Sequence, residues 1–445
     1  MEQRTIAPAQ RAAFDEFVHR HQRRNFFAFG LYSIAFNLGW LFKTESIIIA
    51  SFVRTLGASN LVQGLFPMVN QLGSTIPQLL MANWVEHLAH KKRLMLGTFF
   101  LYFVLWFAMF LVLIFVSFDH KNVILGIFLA INTIFAFNLG CNSVVGSIIF
   151  GKVVPYNIRG KLMTFTGVIG GAAAICCTFL IVRPILETGT ANPLAPYAIL
   201  FLLCSLLFLA AWFALLFIKE PPLAGAKRRR NLLAFTHHSL RLVIHDRNFI
   251  LLFLIGALVS ISFGVLQFYT VYAKSQLRIA NSMLAWYLVF QVGLTPLGSV
   301  FYGLLADRYG NRLAIRIGSA IFALTPAMAM LVGSWPGLTQ RAWLYSIVYA
   351  MIGFNLPVQQ ILTNYLLEIT PLELHPNYLG VYNALRSITL VFPPAMGLLM
   401  DSFSFDKVFL GLAAFLSLGV VLAYLLIEPR HLADKDEYKE EMALG

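Results

Sequence analysis

The chain has 445 residues, 59% of them apolar and 12% charged, with a mean hydropathy of +0.74. Soluble domains carry about 25% charged residues, so a water-soluble globular enzyme, a disordered chain and a disulfide-stapled secreted domain are all excluded. The balance of 33 Lys+Arg against 20 Asp+Glu gives +13, and the meaning of that excess depends on where the basic residues fall.

The first 24 residues hold Arg4, Arg11, Arg20, Arg23 and Arg24 without an apolar core. A cleaved leader needs such a core, so the first span reads as an uncleaved anchor. Phe14, Phe17 and Val18 among charges mark residues 8–24 as an interfacial helix within a cytosolic segment, 1–26. Crossing the hydrocarbon core takes roughly 20 apolar residues. Twelve stretches meet that need: 27–53, 60–83, 94–117, 122–150, 161–186, 196–218, 249–273, 282–306, 313–334, 342–367, 378–401 and 408–427. Lipid leaves the backbone no partner but itself, so these are predicted helices; the alternating polarity of barrel strands is absent. Pro67, Pro77, Pro296, Pro326, Pro357, Pro393 and Pro394 mark expected kinks. Cys141, Cys176, Cys177 and Cys204 lie inside apolar runs without metal-ligand spacing and read as small buried hydrophobes.

The longest break, 219–248, separates six spans from six, giving halves at 27–218 and 249–427 and a tail at 428–445. It runs through Lys227-Arg228-Arg229-Arg230 into an amphipathic stretch with Leu232, Leu233, Leu240 and Val243. The stretch suits a helix on the inner leaflet; charge that simply fixes orientation accounts for it equally well. With both termini on one side, 24 of the 33 basic residues lie there and 7 on the other, while Lys43 and Arg386 stay inside spans. That asymmetry makes the termini cytosolic and removes the reason to invoke nucleic acid.

The halves repeat. Phe137-Asn138-Leu139 in span four matches Phe354-Asn355-Leu356 in span ten, and Pro155 matches Pro371 at almost the same offset. Spans two and eight each carry Gly-Ser, at Gly73-Ser74 and Gly298-Ser299. Together these favour a duplicated six-helix unit.

Span eight ends Gly303-Leu-Leu-Ala-Asp307-Arg308-Tyr-Gly310-Asn-Arg312. This resembles the G-x-L-A-D-R-x-G-x-[KR] signature of the major facilitator superfamily, at the loop where that family has its second copy. Asp307 at a helix end can accept from a neighbouring helix N-terminus, Gly310 permits a tight turn, and Arg308 and Arg312 hold the loop in the cytosol. The resemblance implies a conformational latch. In the first copy Asn83 replaces the family Asp and Leu79 its Gly, with Glu86 as a partial substitute and Lys91-Lys92-Arg93 as the basic cluster. Arg159-Gly160-Lys161 is similar to that family's Arg-Gly start of span five, whereas span four lacks the Arg usual in drug/proton antiporters. The implied fold is an all-α polytopic membrane protein, with twelve transmembrane helices in two pseudo-symmetric six-helix halves.

Ionisable groups inside spans are functional candidates because burying them is costly. On a continuous helix, Glu45 lies roughly 10 Å below the outer end of span one and Lys43 points elsewhere. Glu45 is a candidate proton-coupling site, or a structural partner of Arg183; Lys43 is expected to snorkel outward. Arg386, roughly 13 Å into span eleven, could grip an anionic substrate group or bond to carbonyls or Glu368. The resemblance implies that spans one, four, seven and ten line a cavity. Its candidate substrate contacts are Asn37, Asn132, Asn138, Asn142, Gln267, Tyr269, Asn355, Gln359 and Gln360, with Asn364 beside them; interhelical bonding is the simpler role for any one of them.

Amides and aromatics suit a neutral polar or amphipathic solute. No nucleotide loop, zinc spacing or catalytic triad is present, so no enzyme activity, cofactor or metal is expected. The reading is a secondary transporter of a small organic molecule by alternating access, with protons as a candidate second partner. It is expected as a monomer among the lipids of a bacterial plasma (inner) membrane. A transporter-like receptor or assembly factor, and a lipid flippase, are the alternatives.

Overall fold

The computed structural model describes residues 8–86, 91–187, 192–221, 246–370 and 375–427. Most of the expected linker (222–245) and the tail (428–445) lie outside the described residues. Among the described residues every element is helical, and nine segments are long and apolar enough to cross a membrane. The three remaining predicted spans are also helical: span two is Asn60–Glu86, span ten is cut into Leu338–Leu344, Ser346–Asn355 and Val358–Ile369, and span eleven into His375–Arg386, Ser387–Val391 and Phe392–Ser402.

The breaks have local causes. Pro357 precedes the last piece of span ten, and Pro393 and Pro394 occupy the first turn of Phe392–Ser402, where a missing N–H costs least. Pro296 and Pro326 lie inside uninterrupted helices, as do Pro67 and Pro77, so an expected kink there is not a break. Span five passes through a π-turn at Thr178–Val182 just before Pro184, where the proline ring cannot continue an α-helical ladder. Span one is interrupted with neither Pro nor Gly at the break: the helix Pro8–Leu41 stops, and a π-turn begins at Glu45–Ile49. The interfacial helix expected at 8–24 is continuous with span one.

The chain resolves into two compact units, one of residues 1–58 with 69–229, the other of residues 59–68 with 230–445. In unit one, span six packs along spans one and three; in unit two, span twelve packs along spans seven and nine. The repeat is therefore one of packing as well as sequence. The core of unit one is an aromatic column containing Phe36, Tyr102, Trp106, Phe135, Phe201 and Phe208. That of unit two mixes aliphatic residues with Tyr302, Tyr365, Tyr378 and Tyr382.

Span two is shared. Its start, through Met68, belongs to unit two, where Asp401 accepts from Asn60 Nδ2 at 2.8 Å, from the Asn60 amide at 3.3 Å and from the Leu61 amide at 3.1 Å. Those bonds satisfy donors that every helix start leaves orphaned. Of the four cysteines, Cys204 is buried, Cys141 and Cys177 are half-buried and Cys176 is exposed. The expectation of four buried thiols is therefore met in full at Cys204, in part at Cys141 and Cys177, and not at Cys176: hydropathy does not tell a lipid-facing side from a core-facing one.

Candidate functional site

Most of the expected cavity amides act as staples within their own unit. Asn132 donates to Asn70 Oδ1 at 3.1 Å, Asn138 to the Thr98 carbonyl at 2.7 Å, and Asn142 accepts from the Thr98 hydroxyl at 3.1 Å; all three are buried. Asn355 accepts from the Tyr302 hydroxyl and donates to the Gly318 carbonyl at 2.9 Å. Gln267 is buried and donates to the Gln63 carbonyl at 3.0 Å. Tyr269 stacks on Phe409, and its carbonyl receives the Tyr345 hydroxyl. A buried amide without such partners would be costly, so these contacts hold helices together.

Two polar clusters remain, one in each unit. In unit one, the break in span one brings together residues that a continuous helix would separate. The amides of Lys43 and Thr44 bond back only three residues, to the Trp40 and Leu41 carbonyls. Thr44 turns extended at φ −48°, ψ 120°, and its hydroxyl donates to the Leu41 carbonyl at 2.7 Å. Lys43 then pairs with Glu45, Nζ to Oε1 3.4 Å, with side-chain exposures of 0% and 28%. The ammonium lies 3.8 Å from the Trp40 ring centre, 4.5 Å from Phe135 and 5.4 Å from Trp106. Lys43 therefore does not snorkel, and the expected Glu45–Arg183 pair is replaced: Arg183 bonds Glu187 at 2.8 Å, one helical turn along. The 100°-per-residue wheel failed here because the helix it assumes ends at Leu41. Asn37, exposed, donates to the Ser33 carbonyl one turn back.

In unit two, Arg386 is held by neutral oxygens from two other spans. Its Nε donates to Ser260 Oγ of span seven at 2.7 Å, and one terminal nitrogen to Gln359 Oε1 of span ten at 2.9 Å; the Tyr382 ring lies 5.3 Å away. Around it Gln360 and Asn383 are exposed, and Gln360 donates to Asn364 Oδ1 at 3.1 Å. Gln360 and Asn383 thus present exposed polar groups within predicted spans, where contact with hydrocarbon would be costly. Ser260 carries no signal in the sequence, because a lone Ser in an apolar run is unremarkable; its role appears only in the bond from Arg386.

The loop after span eight is a tight turn between two helices. Gly310 turns at φ +86°, ending one helix and starting the next, a conformation that favours glycine. Arg312 donates to the Leu426 carbonyl at 3.3 Å, while Asp307, Arg308 and Gly303 lie at the same end of span eight. Asn83 lies on the helix Asn60–Glu86, its side chain outside the described set. A residue at the start of the linker, not singled out in the sequence, has a clear role. Glu220, its side chain 2% exposed, accepts from the Lys91 and Lys92 amides at 3.1 and 2.8 Å and pairs with Lys152 at 3.3 Å. It caps the start of span three with the carboxylate that the first loop motif lacks. Its position just past the end of span six, before Pro221-Pro222, was visible in the sequence.

A family model described as Major Facilitator Superfamily matches residues 25–392. Among solved structures, a D-xylose-proton symporter aligns with TM-score 0.66 at 15% identity, covering 90% of this chain and 97% of that one. The nucleoside transporter NupG aligns with TM-score 0.67 at 12% identity, covering 90% and 98%. A bacterial homolog of the human lysosomal transporter Spinster, inward-facing and unoccupied, aligns with TM-score 0.61 at 14% identity, covering 91% and 96%. At these identities the likeness is one of fold. No curated protein matches the sequence.

Proposed function

The chain belongs to the Major Facilitator Superfamily and is an integral membrane secondary transporter; we propose that it moves a small polar organic solute by rocker-switch alternating access, with Arg386 at the solute site and Glu45 as the proton-coupling carboxylate. The observation that carries the reading is the facet on unit two. Arg386 is positioned by Ser260 and Gln359, with the amides of Gln360, Asn364 and Asn383 beside it. One guanidinium among neutral donors and acceptors suits hydroxyl-rich solutes or a single carboxylate, not a multiply charged ion. Sugar-proton and nucleoside transporters among the structural neighbours are in keeping with that class.

Glu45 is the second part. Its carboxylate is partly open while its partner Lys43 is closed off, so a proton can reach one member of the pair. The basic residues concentrated on the side of the termini support cytosolic termini in a bacterial plasma membrane. The Asp307–Arg312 loop, with Asn83 in the weaker first copy, serves as the latch. We take the working unit to be a monomer surrounded by lipid.

The test is uptake into sealed proteoliposomes with an imposed pH gradient, using labelled pentoses, nucleosides and small organic acids. Arg386→Ala is expected to lower the initial rate at low solute by at least about tenfold, equivalent to ~1.4 kcal/mol. Arg386→Lys does not restore it, because an ammonium lacks the fork that holds both Ser260 and Gln359. Glu45→Gln loses gradient-driven accumulation and keeps solute counterflow. Equal response of wild type and Glu45→Gln to the gradient would remove the coupling role; wild-type rates in Arg386→Ala would remove the solute site.

A further inference from the structure

We infer that residues 41–49 of span one form a two-state element, broken while Lys43 and Glu45 are paired and continuous once Glu45 is protonated. This rests on the reading of Glu45 as the proton site and adds the device by which the proton changes the protein's shape.

The geometry requires the link. Residues two apart on a continuous α-helix lie about 200° apart around the axis and do not face each other. Lys43 and Glu45 meet at 3.4 Å only because Thr44 between them is extended and the ladder is interrupted on both sides. The pair and the break are thus one conformation. Neither Pro nor Gly lies within 41–49 to enforce the break, in contrast to spans ten and eleven. Leu41 through Ile49 can all adopt helix, and Ile47–Ile49 are already in a π-turn anchored on the Thr44 carbonyl. π-turns and broken helices are segments in which a small rearrangement changes the register of everything beyond.

The surroundings of Lys43 set the sign. Its side chain is fully buried, and Glu45 is its carboxylate partner among the described residues. From span three it meets Trp106 and from span four Phe135, neither of which titrates; the Cys204 thiol of span six is the other ionisable group in electrostatic reach. Of the other carboxylates at this end of unit one, Glu187 is engaged by Arg183, and Asp119, in the turn between spans three and four, accepts from the Ser117 hydroxyl. When a proton from solution binds the Glu45 carboxylate, the pair goes from net neutral to net +1. The ammonium is left with ring faces alone, which are worth less than a buried ion pair. The broken state loses its tie, whereas a continuous helix would return the two side chains to different sides.

The test needs no transported solute. Amide hydrogen exchange of the full chain in lipid nanodiscs is followed for peptides covering 40–50, at about pH 5 and about pH 8, and corrected for intrinsic exchange. Wild type is expected to gain about tenfold protection over residues 42–46 in acid. Glu45→Gln is expected to show the acid pattern at both pH values. The double variant Lys43→Met/Glu45→Gln leaves no unpaired buried charge; it is expected to fold even if Glu45→Gln does not, and again to lack the pH response. PH-independent protection in wild type, or a pH response surviving in the double variant, overturns the inference. Failure here with gradient-driven transport intact would leave the transport reading standing. A pH-dependent break in a protein that moves no solute would do the reverse.

Discussion

The two units share a junction and differ in what they build on it. In unit one Gly73 of span two packs against Ala136–Phe137 of span four, and Asn138 donates to the Thr98 carbonyl on span three. In unit two Gly298 of span eight packs against Phe354 of span ten, and Asn355 donates to the Gly318 carbonyl on span nine. The same three helices are pinned by the same glycine and the same amide, so the Phe-Asn-Leu repeat is a packing device. Charge follows no such symmetry. Unit one carries opposite charges paired on one broken helix; unit two carries a guanidinium held across three spans by a hydroxyl and an amide. Packing was kept in duplicate while the chemistry separated, with the proposed proton site in one half and the proposed solute site in the other.

Breaking the junction should give the largest effect, and it should rank the halves. A Cβ on Gly298 would fall 2.0 Å from the Phe354 carbonyl oxygen, a backbone atom; on Gly73 the nearest atom is the Ala136 Cβ at 2.5 Å. Gly298→Ala is expected to cost about 3 kcal/mol or more and Gly73→Ala less, within the ~1–3 kcal/mol usual for overpacking. Thermal unfolding of the two purified variants, followed by size-exclusion recovery, reads the order. Equal losses would mean that the two junctions are interchangeable after all.

The ends of the units next to the linker and tail sharpen the comparison. Lys92 at the start of span three donates to the Leu216 and Ile218 carbonyls closing span six, and Arg312 and Arg316 of span nine donate to the Ala423, Tyr424 and Leu426 carbonyls closing span twelve. Cations on helix C-termini are the favourable arrangement in both. Unit one adds Glu220, which returns to cap span three and to pair with Lys152. Glu220→Ala should cost ~3 kcal/mol, as expected when one partner of a buried pair is removed. Glu220→Gln should recover about half by keeping an acceptor for one amide. Matching melting temperatures for Glu220→Ala and wild type would show that the cap is dispensable.

What the sequence revealed and what it hid divide along physical lines. Hydropathy located the nine segments that, among the described residues, are long and apolar enough to cross, since lipid demands runs of apolar residues. The paired Phe-Asn-Leu and Gly-Ser sites announced the repeat, and Gly310 makes the tight turn expected of it. The site was less legible. Periodicity shows which residues share a face, yet a membrane helix is apolar on its lipid side and its core side alike. Asn132, Asn138 and Asn142 therefore looked the same as Gln360, although the former are buried staples and the latter is exposed. The break at Thr44 was hidden because no Pro or Gly signals it, and Lys43 was consequently assigned to the wrong surroundings.

The smallest effect tests how nearly the amide staples match. Asn138 makes one bond, to the Thr98 carbonyl, whereas Asn355 makes two, adding the Tyr302 hydroxyl as donor. The difference traces to the position four residues after the junction glycine, which is Pro77 in span two and Tyr302 in span eight. Proline brings no hydroxyl, so unit one has no counterpart to the second bond. Asn138→Ala should cost about 1 kcal/mol and Asn355→Ala about 2 kcal/mol, because the latter also leaves the buried Tyr302 hydroxyl without its acceptor. Adding Tyr302→Phe to Asn355→Ala removes that orphaned group and should bring its loss back toward that of Asn138→Ala. If the added Phe lowers the melting temperature further, the hydroxyl has another partner and the two staples differ by more than one hydrogen bond.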